Sequence, residues 1–112
     1  MGELGVRRGE VWWARLPAPA GRRPVVLVSR DAAYAVRSSV TVVEISTTVR
    51  GIASEVPLGR RDGLPTKCVA NTDNVATIPK GWLESRVASL RREKVSALDA
   101  SLLFSLGLDA SP

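Results

Sequence analysis

Residues 20–31 read AGRRPVVLVSRD. Val25 to Val28 form an uninterrupted apolar run, which suits a strand covered on both faces rather than one that alternates between core and water. Two guanidinium groups and a proline stand directly before it. Pro24 removes a backbone donor and restricts Arg23 to extended conformations. If Val25 and Leu27 share one face, Arg23 lies on that face too, at the mouth of the strand. Two readings are open. Either the arginines end the strand in water, or the strand holds one of them still for chemistry.

Working outward, RGEVWWARL (8–16) is rich in β-formers and predicts a first strand. PAPAG (17–21) cannot continue it and predicts a loop. DAAYAV (31–36) predicts one helical turn capped by Asp31. SVTVVEIST (39–47) predicts a third strand, ASEVPLG (53–59) a fourth, and RRDGLPT (60–66) a turn-rich loop. KCVANTD (67–73) predicts a short fifth strand, and VATIPKG with WLESRVASL a helical turn and a last strand. Val95, Leu98, Leu102 and Leu106 then recur at helical spacing, with Gly107 placed to supply a left-handed cap. Close-spaced short strands followed by one amphipathic helix predict a mainly β fold, a small, partly open barrel with the helix across one end. The 112 residues suit a single domain over 1–112.

Composition narrows the function. The chain is 45% hydrophobic and 24% charged, enough to bury a core. No apolar run approaches a membrane span, and MGELGVRRGE has no signal-peptide core. Cys68 is the lone cysteine, which fits a reducing, cytoplasmic setting. Without histidine, zinc sites, Ser-His-Asp triads and two-histidine ribonuclease chemistry fall away. No P-loop or GxGxxG is present, so no metal or cofactor is expected. Thirteen of the 16 basic residues are arginine, the net charge is +5 and the pI is near 10.3, which points to a polyanion such as nucleic acid. A base composition that favours arginine codons explains the same bias.

The remaining chemistry is arginine, hydroxyl and carboxylate. Arg23, held at a strand mouth, can neutralise charge on a phosphate. Ser46 should point outward if Val43 and Ile45 are core, and it opens the hydroxyl run Ser46, Thr47, Thr48 beside Arg50. An ordinary strand-to-loop transition explains that run equally well. Asn71, Asp73 and Asn74 can read base edges or accept a proton, or simply form an Asx-rich turn. Cys68, between Lys67 and Val69, reads as a small core residue. Trp12 and Trp13 must face opposite sides of one strand, one for the core and one free to stack; Trp82 is a third aromatic.

Taken together, RRGEVWWARL, GRRPVVLVSRD, VTVVEIST, KCVANTDNVATIPKGWLESRVASL and the terminal SLGLD resemble the MazF/PemK toxins of type II toxin–antitoxin systems, over about residues 7–109. The resemblance implies an SH3-like barrel with a C-terminal helix, working as a homodimer. It implies a metal-independent endoribonuclease that cuts single-stranded RNA, leaving 2′,3′-cyclic phosphate and 5′-hydroxyl ends. The family arginine falls on Arg23, as phosphate stabiliser and proton donor. The family hydroxyl falls on Ser46, or on Thr47 if the register slips by one, and an aspartate used by some members falls on Asp73. Arg22, Thr48, Arg50, Asn71 and Asn74 are the expected RNA contacts, with Arg22 solvated and steering RNA in. Members with an arginine two residues before the aspartate have Asn71 here, and the histidine of others is missing, so their acid–base scheme does not transfer whole.

The same resemblance implies a MazE-like antitoxin with a disordered, acidic, apolar-studded segment that lies along the basic groove. Apolar positions around Trp13 and the last helix are the expected two-fold interface. The barrel also occurs in toxins that poison gyrase without catalysis, and a plain nucleic-acid-binding module is a further alternative. Neither needs Arg23 and Ser46.

Overall fold

The computed structural model of the chain describes residues 6–109. Six strands form one curled antiparallel sheet: β1 (Glu10–Arg15), β2 (Arg22–Leu27), β3 (Ser39–Ser46), β4 (Glu55–Leu58), β5 (Cys68–Pro79) and β6 (Leu83–Ser89), in the order β4-β5-β3-β2-β1-β6. A short helix, α1 (Asp31–Tyr34), links β2 to β3, and α2 (Arg92–Ser105) closes the chain.

The Val25–Val28 run does bury both faces of its strand. Val26 joins Val11, Val43, Ile45, Val56, Leu58 and Leu98 in one core. Val25 and Leu27 enter a second core with Ala14, Val40, Val42, Tyr34 and Ile78. β2 lies between β1 and β3, registered through Val11↔Val26 and Val26↔Val43. A strand so enclosed can carry charge only at its end, and Arg22 and Arg23 occupy that end.

Three local expectations change. Asp31 is the first residue of α1 rather than its cap; its Oδ1 accepts the Arg8 backbone N–H at 2.7 Å, which ties the segment before β1 to this turn. The fifth strand runs on to Pro79 instead of ending near residue 73. Its pairing with β3 jumps from Val43↔Val75 to Glu44↔Asn71, so Thr72–Asn74 bulge out of the ladder. A bulge re-aims a strand without ending it, which a composition reading of NTDN mistakes for a terminus. Lastly, α2 packs on β4 and β5 through Leu98, with Val95 and Leu102 partly buried, while Leu106 falls past the helix end and is 58% exposed. Gly107, at φ +70°, completes the left-handed cap: its N–H donates to the Phe104 carbonyl, and that of Leu108 to Leu103.

The bulge and the helix are fastened together by hydroxyls. The Thr72 backbone N–H donates to the Ser54 carbonyl at 2.7 Å, and its Oγ1 donates to the same oxygen at 2.8 Å. The Thr72 and Ser101 hydroxyls lie 2.7 Å apart, and Ser101 Oγ shares its one proton between Thr72 Oγ1 and the Ala53 carbonyl at 3.0 Å. Ser105 Oγ donates to the Thr72 carbonyl at 3.1 Å. Thr72 is 1% exposed, so its loss would strand buried partners. Thr72→Val, which keeps the shape and removes the hydroxyl, should lower unfolding free energy by about 1–3 kcal/mol in urea titration; an unchanged midpoint would mean that the network contributes nothing.

Candidate active site

Where β2 begins and β3 ends, the sheet opens into a cavity of about 350 Å³. The β2–β3 register, carried on by two residues from Val25↔Glu44, sets Arg23 opposite Ser46. Arg22, Arg23 and Pro24 line one wall, and Ile45, Ser46, Thr47 and Thr48 another. Trp13, Cys68 and Leu64–Thr66 complete it. The Leu64–Thr66 wall follows Gly63, which sits at φ +92° and so close to β6 that a Cβ there would stand 2.6 Å from the Ala88 Cβ. Only glycine brings that loop over the cavity.

Arg23 is held as its strand position predicts. Its Nη1 lies 3.5 Å from Glu44 Oε1, on the neighbouring strand, and both side chains are largely withdrawn from water. Its Nε–H is buried without a hydrogen-bond partner. The side chain is nevertheless about a third exposed, so guanidinium donors not taken by Glu44 remain for an anionic oxygen in the cavity.

Arg22 is exposed, as expected, but it is not a free charge: its guanidinium lies 4.2 Å from the centre of the Trp13 ring, and its Nε donates to Glu84 Oε1 at 2.6 Å. A flat cation on an indole face, tied at its edge, is a fixed charge. Thus Trp13 is the tryptophan that faces the cavity, whereas Trp12 packs on the second core and donates its Nε1–H to Glu10.

Ser46 Oγ accepts the Thr48 backbone N–H at 3.0 Å, which fixes the oxygen and leaves its proton to be donated. Thr47 and Thr48 are exposed at the rim. Cys68 is 4% exposed and belongs to the core beneath, and burial, with Asp62 nearby, pushes its thiol pKa up. The other expected residues lie outside the lining. Arg50 gives its backbone N–H to the nearly buried Glu55 carboxylate. Asn71 is buried and accepts the Asp73 backbone N–H at 2.9 Å, an Asx turn that shapes the bulge, and Asp73 and Asn74 stand exposed on it.

Two residues that sequence reasoning passed over matter most to the electrostatics. Glu44 interrupts the apolar run of β3 in phase with Arg23, a signal that parity alone could have exposed. Glu84, which binds both Arg22 and Arg15, is 62 residues from the first of these, and no local pattern announces it.

The comparisons with known proteins converge on one family. A model of the PemK-like, MazF-like toxins of type II toxin–antitoxin systems matches residues 7–106. This chain belongs to that family. A protein of Mycobacterium tuberculosis named "Probable endoribonuclease MazF5" is 40% identical over 96 residues, 85% of this chain and 87% of its own length. The solved structure of the Mycobacterium tuberculosis toxin MazF-mt6 superposes with a TM-score of 0.82 at 33% identity, covering 89% of this chain and 98% of its own. A mycobacterial endoribonuclease solved in complex with its cognate antitoxin gives a TM-score of 0.84 at 28% identity, covering 96% and 100%. The family likeness settles the barrel, the C-terminal helix and an endoribonuclease toxin, in place of a gyrase poison or a plain binding module.

The buried, neutral thiol gives a direct check on the cavity floor. Cys68 in the native protein should resist iodoacetamide at pH 8 and react once guanidinium unfolds the chain. Equal labelling rates in both states would refute its assignment to the core.

Proposed function

We propose that this MazF-type endoribonuclease cuts single-stranded RNA in the arginine cavity, without metal or cofactor. The RNA 2′-hydroxyl attacks the adjacent phosphorus and releases its proton to solvent, the P–O5′ bond breaks, and the products carry a 2′,3′-cyclic phosphate and a 5′-hydroxyl. Negative charge gathers on the phosphoryl oxygens as the new bond forms. Arg23 neutralises it with the guanidinium donors that Glu44 leaves free, at a partly buried position where such contacts are stronger than in open water. Arg23 also stands as proton donor to the departing 5′-oxygen. Ser46 donates its hydroxyl proton to a phosphoryl oxygen, with Thr47 beside it as the second hydroxyl. Glu44 acts through Arg23 as a positioning residue.

One observation carries this reading: the partly buried, ion-paired Arg23 and the hydroxyl run from Ser46 to Thr48 meet in one cavity although they lie on different strands. Arg22, stacked on Trp13, supplies a fixed phosphate contact at the rim. Arg50, Asp73, Asn71 and Asn74 lie beyond the lining, and in this reading they serve RNA on either side of the cut or shape the surface that meets it.

The toxin works in the cytoplasm, as a homodimer restrained by a MazE-like antitoxin. Among the described residues no helix is long and apolar enough to cross a membrane. Leu103, Phe104, Leu106 and Leu108 leave an exposed apolar surface at the end of α2 that a second copy can cover. An acidic antitoxin segment suits the arginine cavity by charge, and the mycobacterial relative solved with its antitoxin supports such a partner.

Purified Arg23→Ala should cut labelled single-stranded RNA in EDTA roughly 10²–10³-fold more slowly than the parent, with an unchanged unfolding midpoint. Asp73→Asn should slow cutting far less. Cutting by Arg23→Ala at the parent rate would sink the assignment. Separately, Phe104→Glu should shift the sedimenting species from dimer to monomer at micromolar concentration; a monomeric parent would refute the dimer.

A further inference from the structure

A second recess opens where the end of β1, the residues after it and the start of β6 meet. Arg15, Leu16, Pro17, Gly81, Trp82 and Glu84 line about 330 Å³. Trp82 keeps more than a third of its surface in water. A single carboxylate joins this recess to the arginine cavity. Glu84 Oε1 accepts from Arg22 Nε at 2.6 Å, and its Oε2 accepts from Arg15 Nε at 3.0 Å. Arg22 lines the first cavity and Arg15 the second.

A carboxylate between two cations holds them in place, and it also offers an acceptor that a phosphate cannot use. Glu84 can accept a further N–H group: its Oε2 takes both Nε and Nη2 of Arg15, at 3.0 and 2.9 Å, but its Oε1 takes only Arg22 Nε and keeps a second lone pair. Arg22 donates the hydrogen bond that, with the charge of Arg15, holds the Glu84 carboxyl below the usual carboxylate range, so it is an ionised acceptor at neutral pH. A partly exposed indole beside an acceptor and two guanidinium groups has the parts of a nucleobase seat.

We propose that this recess is a base-recognition subsite for a nucleotide flanking the scissile phosphate, in which the base stacks on Trp82 and gives an edge N–H group to Glu84. The proposal rests on the ribonuclease reading of the neighbouring cavity. Arg15 and Arg22 hold the adjoining phosphates. A carboxylate cannot donate, so the seat selects edges rich in donors. Guanine, with N1–H and the N2 amine side by side, fits best, and uracil, whose one N–H lies between two carbonyls, fits worst. The strand thus runs from the cut phosphate at Arg23, past Arg22, to the base on Trp82.

The test uses the full-length protein and single-stranded RNAs that vary one base at a time on both sides of the mapped cleavage site. Affinity is read on versions made uncleavable by a 2′-deoxy residue at the cut. The parent should prefer guanine over uracil at one flanking position. Trp82→Ala should raise KM roughly 5- to 150-fold, slow saturated cutting less, and flatten that preference, while Trp82→Phe should restore most of it. Glu84→Gln, which can donate as well as accept, should lose the bias against uracil. An unaltered base profile in Trp82→Ala overturns the subsite while leaving the nuclease standing. So does Trp82→Ala that keeps the profile but no longer dimerises or binds an acidic antitoxin peptide, since the recess then belongs to a protein partner. Parent protein that leaves every RNA whole removes the nuclease reading first, and the subsite with it.

Discussion

Everything in this molecule is arranged around a strand that buries both of its faces. Val25 and Leu27 point into one core and Val26 into another, so β2 has no solvent side on which to place charge. The ladders to β1 and β3 then fix its position. What the enclosure leaves is the strand's first turn into water, and the chain puts Arg22 and Arg23 there. A guanidinium on such a strand has little freedom to lose when it grips an anion, which is the gain that preorganisation gives to electrostatic catalysis. An arginine on a free loop would spend much of the same contact energy on ordering itself.

Partly burying a cation carries a cost, and Glu44 offsets it. The pair is loose, at 3.5 Å, and leaves the Nε–H of Arg23 unbonded. A tight bidentate pair would satisfy the guanidinium and compete with a phosphate for the same donors. The arrangement therefore holds the side chain in place without saturating it. Arg22 solves the same problem differently. The Trp13 face and the Glu84 carboxylate fix it at the more exposed rim, where water screens the ion pair and an incoming phosphate can exchange with it.

How much of this could be read from residues alone differs from element to element. The two-faced strand, the hydroxyl run at the end of β3, the final helix and the Gly107 cap were legible, because each rests on local rules: an apolar run, a period of two, a period of 3.6, and a residue tolerant of positive φ. The fifth strand was misjudged because its three-residue bulge is held from outside, by Ser54, Ser101 and Ser105, far away in the chain. Asp31 looked like a cap but answers to Arg8. The same limit applies at the site. Arg23 and Ser46 could be singled out from their own strands, and Glu44 shares the parity of Ser46, whereas Glu84 becomes visible only when the sheet sets distant segments side by side. The family resemblance fixed architecture and activity together, yet it was silent on those two carboxylates.

The bulge also explains why Asp73 and Asn74 stand where they do. Had β5 paired with β3 without interruption, Thr72 to Asn74 would lie in the ladder, their side chains alternating between the two faces of the sheet. Lifting three residues out of register sends Thr72 inward to the hydroxyls of α2 and leaves Asp73 and Asn74 exposed. Helix position and the display of polar side chains on this side of the sheet are therefore one structural decision, made through a few buried hydrogen bonds. Because a buried hydroxyl network is strong only while every member is satisfied, α2 cannot shift without disturbing that display. The helix that ends in an uncovered apolar surface is thus mechanically joined to polar residues near the expected path of RNA, and whatever covers Leu103, Phe104 and Leu106 acts on a rigid unit rather than on a loose tail.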